Sequence, residues 1–177
     1  MGADSYGNDP FGLYDVKLTN IGGTVVQVDL PAAQTLKFTE RVKSGELMGD
    51  DAIKAVAAYT EAVEWSLEAG GISLEAYALI TGRTATESGT TPTRTKTLTG
   101  RAGAHYPYFK IYGKVIGSGT DDVHCKIFKA KVTGNVEGTF KGGEFWVTSC
   151  SGIAVDDGTN RIYEFVENET ATTLPAS

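Results

Sequence analysis

The sequence is poor in the residues that most catalytic and metal chemistry requires. Among 177 residues there are two histidines, His105 and His124, and two cysteines, Cys125 and Cys150. Two cysteines cannot build a disulfide scaffold, and neither they nor the histidines cluster with the spacing of a zinc site. No serine stands in the G-x-S-x-G turn that exposes a nucleophile. Gly117 and Gly119 of GSGTDD are followed neither by Lys-Ser or Lys-Thr nor by a helical pattern, so they form no phosphate loop. The chain is therefore expected not to be an enzyme, and to use no metal or cofactor.

Long apolar runs are also missing. None approaches the roughly 18 residues that a membrane-spanning helix needs, so no membrane partner is expected. The opening MGADSYGNDPFG has no basic stretch leading into an apolar one, and no secretory leader is expected from it. Positive charge is the scarcer sign: 16 Lys and Arg stand against 22 Asp and Glu, a net charge of −6. Nucleic-acid binding draws on clustered Lys and Arg that release counterions, so contact with DNA is expected to be passive or repulsive.

What the sequence does have is alternation with a period of two. Val26, Val28 and Leu30 face one way in TVVQVDL. Leu36, Phe38 and Val42 form an apolar row whose opposite face carries Lys37, Thr39, Arg41 and Lys43. Val63, Trp65 and Leu67 form another, with Glu64, Ser66 and Glu68 behind it. One strand thus bears a basic stripe and another an acidic one. Further strands read as HYPYFKIYGKVIG, VHCKIFKAKV, GEFWVTSCSGIAV and RIYEFVEN, separated by Gly- and Asp-rich turns. The pattern predicts a mainly β protein, an antiparallel β-sandwich or barrel with one short flanking α-helix. That helix is placed at 73–81, with Ser73 as N-cap and Gly82 as its stop. Residues 50–59, DDAIKAVAAY, favour a helix by propensity, yet sit between alternating segments and are equally compatible with extended chain. The Thr-rich stretch 84–99 reads as an exposed loop or ragged hairpin. Residues 1–13 and 168–177 read as terminal arms around a single β domain, 14–167.

Asp121, Asp122, His124 and Cys125 mix hard and soft ligands around a turn and read as an ordinary solvated turn. A simple hairpin turning near Glu137 and Gly138 would set Cys125 opposite Cys150, within disulfide reach; a bulge at Gly142-Gly143 would instead part the two sulfurs. Tyr106, Tyr108 and Tyr112 on one strand face would suit a stacking platform. That is the second reading, a small β-sandwich ligand-binding module of the carbohydrate-binding kind.

The runs SGELMGDDAIKAV, VEWSLEAGGISLEAYALITG and HYPYFKIYGKVIG together resemble the major tail proteins of long-tailed, siphovirus-type bacteriophages, the subunits of the tail tube. The resemblance rests on a Gly49-Asp50-Asp51 turn after a strand, a strand passing through Gly70-Gly71 into a helix ending ALITG, and a later aromatic strand opening at Tyr-Pro-Tyr-Phe. It covers roughly residues 35–155. It implies a structural virion protein without enzymatic activity that forms rings of six, stacked into a hollow tube through which DNA passes without specific binding. It also implies assembly in the host cytoplasm, residence in the virion tail, and a tape measure protein, a tail terminator and distal tail proteins as partners. An inter-ring loop would span residues 43–60 and carry Gly49, Asp50 and Asp51, with 52–58 extended. Glu64 and Glu68, with Lys37 and Arg41 alongside, are the candidates for the channel wall. Six copies at −6 would place −36 on a ring, and like-charged walls repel a polyanion within about 8 Å at physiological salt.

Overall fold

Val63, Trp65, Leu67 and Ala69 are all buried, while Glu64 and Glu68, which alternate with them, are exposed, so the alternation in this stretch sorts core from surface. The computed structural model describes residues 12–30, 32–49, 52–71, 73–117, 119–139, 142 and 147–175. The chain is mainly β, with antiparallel pairing and, among the described residues, one short helix. In order the elements are β1 (Leu13–Asn20), β2 (Gln27–Asp29), β3 (Ala33–Gly49), β4 (Ala52–Gly70), α1 (Leu74–Thr81), β5 (Ala85–Ser88), β6 (Thr95–Leu98), β7 (Phe109–Ile116), β8 (Asp122–Thr139), β9 (Val147–Ala154) and β10 (Tyr163–Asn168).

One sheet runs β2-β1-β7-β8-β9-β4-β3, and β10 joins it on β8. The eighteen residues of β8 serve two neighbourhoods. Its first part, Asp122–Ile127, lies between β7 and β10; from Ala130 onward it pairs with β9. The sheet folds back on itself there. Leu36 of β3 reaches Gly113 of β7, where a Cβ would lie 2.7 Å from its Cδ2, and Phe38 packs tilted against Phe165 of β10 at 5.1 Å between centroids. Between the two layers lies the core: Val16, Leu18, Phe109, Ile111 and Ile127 face Val63, Trp65, Leu67, Val132 and Ala154. Trp65 meets Phe109 edge-on at 5.6 Å, a favoured aromatic geometry.

The helix forms where its caps place it. Ser73 Oγ accepts from the Ala76 N–H at 3.1 Å, and Gly82 takes the left-handed conformation at φ 68. The Thr-rich stretch closes as the small separate hairpin β5–β6.

Residues 52–58 are strand. Their alanine-rich helical propensity loses to pairing with Ser44–Gly49, which satisfies the backbone along a hairpin. β3 and β4, of 17 and 19 residues, far exceed the usual five or six. Their outer part, from Val42 and Thr60 to Gly49 and Ala52, extends beyond the core as a two-stranded arm. Every residue of it is exposed except Gly49, which is half-buried. Asp50 and Asp51, at its turn, lie outside the described residues.

Gly152 of β9 has no room for a side chain: a Cβ there would come within 2.0 Å of the Lys131 carbonyl oxygen and 2.8 Å of Trp65 Cζ2. Gly152→Ala is expected to destabilise the fold by about 2 kcal/mol, because backbone on one side and a packed indole on the other must both shift. Urea unfolding followed by tryptophan fluorescence measures it; an unchanged midpoint would count against this packing.

Candidate functional site

Four strands, β8, β9, β4 and β3, present a polar outer face behind the core. Cross-strand partners align Thr39, Glu64, Ile153 and Lys131 in one row and Thr35, Glu68, Ser149 and Glu137 in another. Between these rows Lys37, Ser66 and Ser151 are paired, and Thr133, Gly134 and Asn135 bulge out of β8 opposite Ser151. The bulge needs its glycine, since a Cβ on Gly134 would meet Ser151 Oγ at 2.2 Å. It opens two shallow basins of about 380 and 350 Å³ that share Ser66 and Ser151.

Glu64, Glu68, Lys37 and Arg41 therefore share one surface. Arg41 donates to Glu64 Oε1 from Nε at 3.1 Å and from Nη2 at 2.5 Å. Both side chains are about half exposed, so the pair orders the surface more than it stabilises the fold. Lys129 and Lys131 lie 5.2 and 5.0 Å from the Tyr108 ring centroid, a pair of cation–π contacts at the rim. Four bases (Lys37, Arg41, Lys129, Lys131) thus stand against three acids (Glu64, Glu68, Glu137), so this face is near neutral rather than acidic. The basic stripe of β3 and the acidic stripe of β4 sit side by side, so their charges offset.

Both borders of this four-stranded face are unpaired among the described residues. β3 pairs only with β4, and β8 beyond Ala130 pairs only with β9. Because each neighbouring pair is antiparallel, the two border strands run in opposite senses. The arm adds a second unsatisfied surface. Val42, Val56, Met48 and Ile53 follow its one side and Leu47 and Tyr59 the other, each more than half exposed.

The cysteines are free and apart. Cys125 lies across from Gly113 and Phe165, while Cys150 lies across from Val136 and Leu67. Of the two alternatives the simple hairpin setting Cys125 opposite Cys150 does not occur, because β8 runs on to Thr139 and a bulge at Thr133–Asn135 shifts the register, so the hairpin closes later than Glu137-Gly138. Burial pushes the Cys125 thiol up to about 11 and the Cys150 thiol up to about 12. Both stay protonated at neutral pH and are poor nucleophiles.

The supposed solvated turn is a buried ionic cluster. Asp122 is fully buried, and Asp121 and His124 nearly so. Asp122 Oδ2 is 2.9 Å from Lys114 Nζ and 3.1 Å from His124 Nε2, and accepts from the Thr172 N–H at 2.7 Å; its Oδ1 accepts from Asn168 Nδ2 at 2.7 Å. Burial alone would raise its pKa, but the Lys114 ammonium and these donors outweigh it and hold the carboxyl well below the usual range. The cluster fastens the terminal segment, where Leu174 is buried and the Pro175 carbonyl accepts from Gln27 Nε2 at 3.0 Å. Residues 168–175 form a strap, which their small polar composition did not reveal. Among the described residues no group of three or more His, Cys, Asp and Glu could hold a metal ion.

The tyrosines form no shared platform. Tyr112 is buried, Tyr106 packs against the core, and Tyr108 alone is exposed, beneath its two lysines. No helix of the described residues is long and apolar enough to cross a membrane. No protein-family model matches the chain, and no curated protein matches it.

Asp122→Asn is expected to cost about 3 kcal/mol by leaving the Lys114 charge buried without its partner, and to open residues 169–175 to proteolysis. A carboxyl held low contributes its stability fully above about pH 4 and loses it as pH falls below that, so the variant should flatten the acid limb of the stability profile. Thermal melts from pH 2 to 7 check both; a variant with the parent's acid limb would count against the cluster.

Proposed function

We infer that the protein is a self-assembling structural subunit of a long-tailed phage tail tube, without enzymatic activity. The observation that carries this is the four-stranded face with two open borders of opposite sense. A strand border is a row of unpaired N–H and C=O groups, which soluble proteins normally shorten, charge or cover. Here the β3 border of one copy meets the β8 border of the next in an antiparallel ladder, a head-to-tail contact that closes into a ring when the rotation allows. A closed barrel has no borders left.

Rings of six, stacked, then make a tube with the polar face lining its channel. The arms reach along the axis and bury their apolar residues against neighbouring rings, in keeping with the resemblance of residues 35–155. Paired charges on the wall give DNA neither a basic stripe to grip nor a strong net repulsion, so it slides past without specific binding. Assembly would take place in the host cytoplasm around a tape measure protein, with a tail terminator and distal tail proteins at the two ends.

Electron micrographs and sedimentation over rising concentration test the reading: rings or filaments are expected, and a protein that stays monomeric throughout would sink it. Replacing residues 43–59 by Asn-Gly, a turn that suits the Val42–Thr60 pair, is expected to leave the melting temperature within a few degrees and to leave rings, while abolishing filaments. Loss of the fold with the arm would show that the arm belongs to the core.

A further inference from the structure

The two layers do not meet evenly. Where β3 folds over the side of the sheet formed by β7, β8 and β10, Leu36 and Phe38 face Gly113, Val123 and Cys125 across a cavity of about 140 Å³, with Phe165 beside them. The side chains opposite β3 are small at this point. Gly113 pairs with Cys125 and Val115 with Val123, whereas the next inward-facing pair is Ile111 with Ile127, both fully buried in the core. A packed interior normally closes a void of this size, because the groups around it forfeit their contacts. Here the missing side chain of Gly113 and the short ones of Val123 and Cys125 keep it open.

The lining decides what the cavity takes. Among the described residues no charged side chain lines it, and the Cys125 thiol is its one polar side-chain group. Water there finds no strong side-chain partner, so an apolar occupant displaces it readily, while a charged or sugar-like molecule would lose its hydration without compensation. Aromatic rings form one wall. Phe38 and Phe165 lie 5.1 Å apart between centroids, and Tyr163, just behind them, is 5.8 Å from the first and 5.4 Å from the second, at tilted and edge-on angles. A further ring joins such an array through the same favoured contacts. An apolar cavity of about 150 Å³ holds benzene, so the volume sets the limit at a single ring. Phe165 is 47% exposed, which places the mouth on the surface.

We propose that this cavity is a binding site for a neutral, single-ring aromatic molecule. The site is complete within one chain and is independent of the tube reading. Its walls come from β3 on one layer and from β7, β8 and β10 on the other. An occupant therefore ties the layers together, and it stabilises the fold by binding the native chain alone.

Benzene is the probe, with cyclohexane as an aliphatic ring of like size and benzoate as a charged aromatic. Partition between vapour and solution measures uptake of the two volatile rings per chain, whatever the state of assembly. Benzene is expected to bind at one equivalent per chain with a Kd of about 1 mM or tighter. At about 10 mM it should raise the melting temperature by about 3 °C, whereas benzoate should leave it unchanged. Cyclohexane should bind more weakly by about threefold or more, since it lacks the ring contacts. Val123→Phe and Cys125→Leu fill the cavity from two positions, and Val123→Ile adds a single methylene that the fold tolerates. Circular dichroism establishes which variants fold. Uptake should fall by about tenfold in either filled chain and by about threefold in Val123→Ile. Absence of saturable benzene uptake by the parent would overturn the proposal without reference to any variant. So would parent-like uptake by a folded variant, or cyclohexane binding as tightly as benzene.

Discussion

Strand β8 hands one of its two edges from β10 to β9 near Ala130, and the architecture depends on that exchange. An eighteen-residue strand in a twisted sheet cannot keep the same neighbours along its length without the sheet coiling away from its core. By changing partner, β8 belongs to two layers, and the sheet closes over Trp65, Phe109 and Ile111 without a second independent sheet. The cost is that β8 beyond Ala130 has a neighbour on one side only. The open border is therefore a product of the core's construction rather than an ornament added to it.

The same constraint separates what could be read from the residues from what could not. Val63, Trp65 and Leu67 announce a strand with one buried face, and Ser73 and Gly82 announce where a helix begins and ends, because these signals are local. Placing Glu64, Glu68, Lys37 and Arg41 on one surface also follows from alternation once β3 and β4 are neighbours. Whether Cys125 and Cys150 stand opposite each other is not legible in the sequence, because register across a hairpin depends on where it turns and on a bulge at Thr133–Asn135, and neither is fixed by periodicity. Asp122 reads as a turn residue because its partners come from two distant stretches of chain, Lys114 from β7 and Asn168 and Thr172 from the terminal strap. The strand character of 52–58 followed only from the family resemblance, since alanine carries no preference strong enough to resist a pairing partner.

On the proposed tube reading, the polar face would serve through near-balance of charge rather than excess. Charges that alternate in sign between adjacent strands tie a four-stranded surface together laterally, so side chains such as Arg41 and Glu64 are held by each other instead of reaching outward. A long polyanion moving along such a wall, as that reading has it, would meet short-range pairs whose fields decay within a Debye length. The charge asymmetry of the chain lies elsewhere, in the +3 segment 82–105.

Burial of both sulfurs has a practical corollary. With thiols held protonated up to about 11 and about 12, neither native cysteine competes for maleimide or for a disulfide probe near neutral pH. A single cysteine placed on the exposed arm would be the sole reactive handle in an unmodified background. Fluorophore pairs on separate copies could then time the growth of an assembly, copy by copy, without any need to delete the residues that pack beside Leu67 and Gly113.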